Sequence, residues 1–164
     1  MTNSAVVYQS IHHNNTKMVA HAIAKQLDAD LFTPGMLKKG DLDAYSLVGF
    51  GSGIYFFKHH QNILTLADSL IKPGFDAFVF STRGGGPPSI YHMLLKRKLR
   101  SKGVDILGDY STLALDTYAI WGKLGGLNHG RPDEKDLKRA QEFACAMKKR
   151  HLDKQRTHHP KKGV

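Results

Sequence analysis

The strongest constraint on the fold is an alternation, along the whole chain, of short apolar runs with longer amphipathic stretches. The apolar runs have the length of strands and occupy residues 5–8, 30–33, 47–51, 75–80 and 104–107. The amphipathic stretches carry apolar residues at every third or fourth position, which is the spacing of one helix face. Because such alternation is typical of a parallel sheet covered on both faces, we predict an α/β fold with a doubly wound five-stranded parallel sheet.

The predicted helices have recognisable ends. Asn15 or Thr16 is expected to cap the helix over residues 16–27, and Asp133 is expected to open the last helix. Gly103 follows the third helical stripe, a position where glycine commonly ends a helix. The one cysteine, Cys145, lies within the last stripe and is predicted to be a buried, inert thiol in a reducing compartment.

Length and charge indicate one domain with a basic end. A chain of 164 residues suits a single core, and we assign residues 1–150 to that domain and residues 151–164 to a basic C-terminal tail. The formal net charge is +10, of which residues 148–164 contribute +6. Such a tail suits an acidic protein, anionic lipid or nucleic acid, or is a solvated helix end, and these alternatives stay open.

Other partner classes are disfavoured. The basic residues at 96–100 belong to the exposed face of a predicted helix, so we expect no nucleic-acid partner. No apolar run approaches the roughly 20 residues that span a bilayer, and residues 1–10 lack the features of a signal peptide. We therefore expect no transmembrane segment and a cytoplasmic protein, with the oligomeric state left open.

Ligands of open α/β sheets bind outside the carboxyl ends of the strands, which directs attention to the loops after the first, third and fourth strands. The first loop reads Ser10-Ile11-His12-His13-Asn14-Asn15-Thr16 and leads into a helix. A helix N-terminus with such neighbours offers unpaired N–H groups and a positive dipole end to a phosphate. The same composition is also that of an ordinary capped helix start.

The second and third loops suit a flat ligand. The second contains Ser52, Gly53 and Ile54 and then the aromatic residues Tyr55, Phe56 and Phe57, which either clamp a ring or cap the neighbouring helices. The third reads Ser81-Thr82-Arg83-Gly84-Gly85-Gly86, and its glycines leave the backbone N–H groups open to close approach. We predict that the three loops meet at one edge of the sheet.

Four stretches resemble the flavodoxin family. They are Val6-Val7-Tyr8-x-Ser10 with Asn15-Thr16, Ala20 and Ile23 behind it, Gly51-Ser52-Gly53-Ile54-Tyr55, Phe78-Val79-Phe80-Ser81-Thr82, and Gly125-Gly126-Leu127-Asn128-His129-Gly130-Arg131-Pro132 before an acidic helix. The resemblance covers residues 4–149. It implies the flavodoxin-like strand order 2-1-3-4-5 and one non-covalently bound FMN, with its phosphate at residues 10–16 and its ring between residues 52–56 and 81–85. The implied cofactor-binding residues are Ser10, His12, His13, Asn14, Asn15, Thr16, Ser52, Gly53, Ile54, Tyr55, Phe56, Ser81, Thr82, Arg83, Gly84 and Gly85.

The chain departs from the family in two respects. The usual phosphate loop reads Ser or Thr, two residues, Gly, Asn, Thr, whereas His13 and Asn14 replace the glycine here and lengthen the loop by one residue. Family members are commonly acidic, whereas this chain is basic. The departures imply a different phosphate geometry in detail, and an acidic redox partner or an unusual docking surface.

The resemblance implies an electron-transfer protein that shuttles electrons between redox partners. The flavin carries the chemistry, so we expect no catalytic acid or base. Our hypothesis is that Tyr55 or Phe56 stacks on the ring and that the backbone near Gly53 contacts flavin N5.

The alternative is an enzyme of the same fold, of the quinone reductase or protoporphyrinogen oxidase type. The segment at residues 112–130, which contains Tyr118 and Trp121, is long for a loop and suits either a substrate pocket or a docking surface.

A second alternative is a binding module without redox work, in which the histidine pairs could bind a metal. His12 with His13, and His59 with His60, lie in neighbouring loops of the predicted sheet. Adjacent histidines of an extended chain point apart, and no carboxylate is spaced to join them. We predict no metal.

Overall fold

The computed structural model describes residues 3–11, 13–70, 73–115 and 126–158. Its parallel strands are β1 (Ser4–Gln9), β2 (Asp30–Phe32), β3 (Leu47–Tyr55), β5 (Asp76–Arg83) and β6 (Asp105–Leu113), and a two-residue strand, β4 (Lys58–His59), folds back antiparallel on β3. The sheet order is β2-β1-β3-β5-β6. Counted as five parallel strands, this is the order 2-1-3-4-5, so the predicted fold class is confirmed.

Within the described residues, four helices cover the two faces of the sheet. They are α1 (Asn15–Leu27), α2 (Gln61–Ser69), α3 (Pro88–Ser101) and α4 (Glu134–His158), with short 3-10 turns at Pro34–Met36 and Asp41–Ala44. Successive residues of a strand pack into hydrophobic cores on opposite faces of the sheet, because side chains alternate in direction along a strand. Val6 and Phe78 pack with α1 and α4, whereas Val7 and Val79 pack with α2 and α3.

Three strands are longer than their apolar runs predict. β3 continues to Tyr55, β5 to Arg83 and β6 to Leu113. The register continues through Ser52↔Ser81 and Gly53↔Thr82. Backbone hydrogen bonds to a neighbouring strand need no apolar side chain, so a strand outlasts the apolar run that predicts it.

The last helix begins as predicted and ends later. The Asp133 side chain accepts a hydrogen bond from the Asp136 N–H at 2.9 Å, which confirms Asp133 as the cap. α4 then runs unbroken past residue 150 to His158, and His151 within it is buried against Asp76. Residues 151–158 of the predicted tail are therefore helical, and residues 159–164 lie outside the described part of the chain.

The prediction of a buried Cys145 is wrong. The buried positions of α4 are Ala140, Ala144, Met147 and His151, which follow one helix face. Cys145 is one residue beyond that face and is exposed. No helix of the described residues is long and apolar enough to cross a membrane.

Candidate functional site

The carboxyl ends of β1, β3 and β5 lie side by side. Gln9 is paired with Ser52, and Ser52 is paired in turn with Ser81. The three segments singled out in the sequence therefore meet at one edge of the sheet, which we call the rim. This convergence confirms the predicted geometry, whereas the cofactor-binding role of the individual residues stays a prediction.

Side-chain hydrogen bonds tie the segments at the rim together. The Thr16 and Thr82 hydroxyl oxygens lie 2.7 Å apart in a buried contact. The Asn15 amide donates to the Leu115 carbonyl oxygen at 2.9 Å, and the Asn128 amide donates to the Gly84 carbonyl oxygen at 2.8 Å. The first segment is thus fixed to the third and to the chain that follows β6.

The start of α1 is open, contrary to the prediction that Asn15 or Thr16 caps it. Both side chains are used in the contacts just described, and the residue at the N-cap, Asn14, makes no side-chain hydrogen bond to the helix. The first turn carries no acidic residue. The Asn14 side chain therefore leaves the first N–H groups and the positive end of the α1 dipole uncapped.

The loop before α1 leaves a buried hydroxyl without a partner. The Ser10 Oγ atom is buried and has no hydrogen-bond partner among the described residues. His13 and Asn14 adopt left-handed backbone conformations, with φ of 54° and 55°, where the family pattern has glycine. His12 lies outside the described residues. An anion that accepts from Ser10 and from the α1 N–H groups fits this arrangement.

The second segment is a hairpin and not the loop that we predicted. Its residues from Ser52 to Tyr55 belong to β3, and β4 pairs back through Ile54↔His59 and Tyr55↔Lys58. The tip consists of Phe56 and Phe57, which are 79% and 74% exposed. The Phe57 ring packs against the Tyr91 ring, with 6.0 Å between centroids. The large exposed area of both phenylalanines is typical of a contact surface.

Tyr55 lies over Gly53 at the rim. A Cβ atom built on Gly53 comes within 3.0 Å of the Tyr55 hydroxyl oxygen. The Tyr55 ring also stands edge-on to the His60 ring, with 5.3 Å between centroids, and burial raises the pKa of its hydroxyl. The aromatic residue most firmly held beside the rim is therefore Tyr55.

The third segment begins inside β5 and turns sharply into α3. Ser81, Thr82 and Arg83 are strand residues, and Gly84 and Gly85 follow them. No atom comes within 4 Å of a Cβ built on Gly85, so the space beside it is open. Gly86 has a φ of +78°, and the Tyr91 hydroxyl occupies the position of a Cβ there. A side chain at residue 86 is excluded, and a ligand has access at residue 85.

A cluster of buried histidines beneath the rim escaped the sequence analysis. His92 is fully buried, and its Nε2 and Nδ1 atoms lie 2.7 Å from Ser81 Oγ and 2.8 Å from Asp109 Oδ2. Lys96 donates to the other Asp109 oxygen at 2.5 Å. One signal was available, because His92 falls on the helix face that also carries Leu95 and Leu99.

The His59 ring packs against the His92 ring. Their ring centroids are 5.1 Å apart with the planes tilted by 35°, and the His59 Nδ1 atom lies 2.9 Å from Ser52 Oγ. The His59 Nε2 atom is buried and has no hydrogen-bond partner in the part of the chain that the structure describes. Burial lowers the pKa of both histidines, that of His59 strongly, and the proximity of His92 lowers the pKa of His59 further. Both rings are therefore neutral at neutral pH.

His59 and His60, the histidine pair that the structure describes in full, serve separate structural contacts. His60 accepts a hydrogen bond from the Asn62 N–H at 3.1 Å and so caps α2, while His59 faces inward. No group of three or more metal-binding side chains is found among the described residues. Tyr118 and Trp121, named for a pocket or docking surface, lie outside those residues.

No protein-family model matches the sequence. An uncharacterized protein of Methanocaldococcus jannaschii is 43% identical over 146 residues, which cover 88% of this chain and 97% of the relative. The chain belongs to the same family as this archaeal protein.

Comparison with solved structures shows which fold the chain has. Oxidised flavodoxin 1 from Bacillus cereus superposes with a TM-score of 0.66 at 16% identity and covers 90% of this chain and 98% of its own. A flavoprotein from Lactobacillus acidophilus, solved in complex with FMN, gives a TM-score of 0.58 at 16% identity and covers 68% and 93%. The chain is flavodoxin-like in fold, as the resemblance of its motifs implied.

Proposed function

We propose that this chain binds FMN non-covalently at the rim and carries electrons between redox protein partners. One observation carries the proposal: the buried Ser10 hydroxyl, without a partner in the described part of the chain, lies in the loop that leads from β1 into the uncapped start of α1. A buried donor without an acceptor costs free energy, and a phosphate supplies the acceptor. The flavodoxin-like fold and the FMN complex of the Lactobacillus acidophilus neighbour support this choice of ligand.

The residues present suit the two parts of FMN. Ser10 and the backbone N–H groups at the start of α1 would hold the phosphate, while the Asn15 and Thr16 side chains stay in their structural contacts. Tyr55 and the exposed Phe56 would face the ring, with Gly85 allowing close backbone approach. FMN supplies the one- and two-electron chemistry when bound.

The surface around the rim favours a protein partner. Phe56 and Phe57 at the hairpin tip and Ile90 and Met93 on α3 are all at least half exposed. Exposed apolar residues of this kind commonly mark contact surfaces. Because the chain carries a formal net charge of +10, the partner we propose has an acidic surface.

Two flavins that differ in the phosphate test the binding proposal. The purified protein should show the visible absorption bands of oxidised flavin, and protein stripped of flavin should quench the fluorescence of added FMN. Ser10→Ala should weaken FMN binding about 10–100-fold, because a hydrogen bond to a charged group contributes about 1.5–3 kcal/mol. Riboflavin, which lacks the phosphate, should bind both proteins equally.

Ser4→Ala is the matched control. The Ser4 hydroxyl is also buried without a partner, but it lies at the opposite end of β1. This variant should bind FMN as the unmodified protein does. A protein that takes up no FMN, or a Ser10→Ala variant with unchanged affinity, would contradict the proposal.

Turnover separates the carrier from the enzyme. A carrier is reduced only through a separate reductase, whereas a quinone reductase or a protoporphyrinogen oxidase turns over its substrate alone. We expect no oxidation of NADH or NADPH with a quinone acceptor, and no oxidation of protoporphyrinogen, by the FMN-loaded protein on its own. Multiple turnovers in either assay would move the assignment to the enzyme class.

A further inference from the structure

Hydrogen bonds beneath the rim have defined directions. Lys96 and Arg83 have only donors, so Asp109 accepts from Lys96, and the Ser111 oxygen accepts from the Arg83 Nε–H at 3.1 Å. The interactions with Lys96 and His92 outweigh burial and lower the pKa of Asp109, which is therefore a carboxylate. A carboxylate only accepts, so the His92 Nδ1 atom bears the proton of the neutral ring.

The assignment of Nδ1 orients the remaining hydrogens. The His92 Nε2 atom of the neutral ring is an acceptor, so the Ser81 hydroxyl donates to it at 2.7 Å. The Ser81 oxygen then accepts from the Ser111 hydroxyl at 2.8 Å. Half-buried Ser111 thus donates to buried Ser81, and Ser81 donates to His92, so both hydroxyl hydrogens point toward His92. This is the orientation that passes a proton inward.

Charged groups on every side set the affinity of His92 for that proton. Lys96 on its own helix and Arg83 on β5 oppose a charge on the ring, whereas Asp109 on β6 favours it. His59 on β4, whose ring packs against that of His92, is buried as well, so the two histidines do not charge together. Burial dominates this balance, and it leaves His92 as a neutral ring with an ion-pair partner already in place.

We propose that His92 is a redox-linked proton acceptor for the rim. When a reduced partner protein delivers one electron to the site, one proton from solvent binds at His92, which has room for this one proton only. The Ser81 hydroxyl hydrogen moves to Nε2, the Ser111 hydrogen moves to Ser81, and a solvent proton replaces the hydrogen on Ser111. The products are an imidazolium ion paired with the Asp109 carboxylate and two intact hydroxyls. Reoxidation returns the proton along the same path.

The physical reason is linkage. An added negative charge at the rim raises the proton affinity of a nearby base, and protonation of that base in turn favours the added electron. Ser81 and Ser52, to which the two histidines are bonded, are paired with each other on neighbouring strands near the rim. This inference rests on the proposed function, because it needs a redox group at that place.

Nitrogen-15 NMR of the imidazole groups tests the proposal directly. In the flavin-free and the oxidised FMN-loaded protein at neutral pH, His92 should be neutral with its proton on Nδ1. Reduction of the loaded protein with dithionite should make both nitrogens protonated. A His92 ring that stays neutral on reduction, or that bears its proton on Nε2 at the start, would overturn the proposal.

The pH dependence of the midpoint potential gives the second readout. Between the His92 pKa values of the oxidised and reduced protein, the potential should fall as pH rises, and His92→Gln should make this line shallower. His151→Gln is the matched control, since His151 is equally buried and bonded to an aspartate but lies at the other edge of the sheet. It should leave the slope unchanged.

The outcomes separate the two hypotheses. If the protein takes up no FMN, the proposed function fails and this inference fails with it. If FMN binds and the slopes of His92→Gln and the unmodified protein agree, the proton acceptor alone is refuted. If His92→Gln does not fold, Asp109→Asn serves instead, and His92 in that variant should stay neutral on reduction.

Discussion

Two clusters that each contain a histidine, a lysine and an aspartate lie at opposite edges of the sheet. In the rim cluster, formed by Ser81, His92, Lys96 and Asp109, the His92 Nδ1 atom is 2.8 Å from Asp109. In the base cluster, formed by Asp76, Asp105, His151, Lys154 and Gln155, the His151 Nδ1 atom is 2.7 Å from Asp76. A lysine donates to the second carboxylate oxygen in each. The shared part of the two clusters therefore does not distinguish their roles.

The clusters differ at the second histidine nitrogen. The His151 Nε2 atom meets the Gln155 side-chain amide at 2.8 Å, and this amide only donates through its nitrogen. The His92 Nε2 atom meets the hydroxyl of Ser81, which donates or accepts as required. A contact made by an amide nitrogen has one donor direction, whereas a contact made by a hydroxyl can reverse its direction.

The base cluster has a structural task. Asp76 and Asp105 are the first residues of β5 and β6, and Lys154 donates to both. These hydrogen bonds outweigh the effect of burial and raise the pKa of Lys154. The last turns of α4 are thereby attached to the starts of two strands, which explains why the helix continues past residue 150.

Removal of Asp76 should have the largest effect on stability. Asp76→Ala leaves buried His151 without its partner and should lower the free energy of unfolding by about 3–5 kcal/mol. Chemical denaturation measures the loss. Asp68→Ala removes an aspartate whose side chain is 51% exposed and bonded to Lys98, and it should cost less than about 1 kcal/mol. Equal losses in the two variants would refute a structural role for the base cluster.

Acid should weaken the fold through the buried rim histidines. Their folded pKa values lie below 6.5, so the unfolded chain binds more protons below that pH. Stability is therefore complete above pH 6.5 and falls as pH decreases, by at most about 1.4 kcal/mol per pH unit for each histidine. Denaturation of the flavin-free protein over a pH series should show this fall.

A variant of His59 sharpens that test. His59→Gln should make the decline with acid shallower, because the ring that stays neutral in the folded chain is gone. His21→Gln, a change at an exposed histidine of α1, should leave the profile as it is. A His59→Gln profile as steep as that of the unmodified protein would contradict the assignment.

The smallest effect is expected at the threonine contact that joins two rim segments. Thr16→Val or Thr82→Val should each cost about 1 kcal/mol, because each leaves the other buried hydroxyl unpaired. The double variant should cost less than the sum, and denaturation of all three measures the coupling.

Thr65→Val is the control for the threonine pair. Thr65 accepts a 3.3 Å hydrogen bond at the surface of α2, and its loss should change stability by less than about 0.5 kcal/mol. Strictly additive losses in the Thr16 and Thr82 variants would mean that their hydroxyls do not interact.

Much of the site was predictable from sequence, and the errors have two causes. Ser10, Ser52 and Ser81 were placed at neighbouring strand ends because strand order alone brings those ends together. Asn15 and Thr16 were wrongly assigned as caps because a cap is a local contact, whereas their side chains bind Leu115 and Thr82 across the fold. The short hairpin strand β4 was missed because a strand of two residues is too short to show the alternation of apolar and polar residues that predicts a strand.

The sequence by itself determined the elements and the sheet class, because the spacing of apolar residues is a local property that decides which faces must be buried. It also marked the segments that meet at the rim, since parallel strands bring their carboxyl ends to one edge. Only the tertiary structure joined Ser81, His92 and Asp109, which lie on three different elements. Their contact depends on the register of β5 with β6 and on how α3 packs across both, and no local pattern encodes that arrangement.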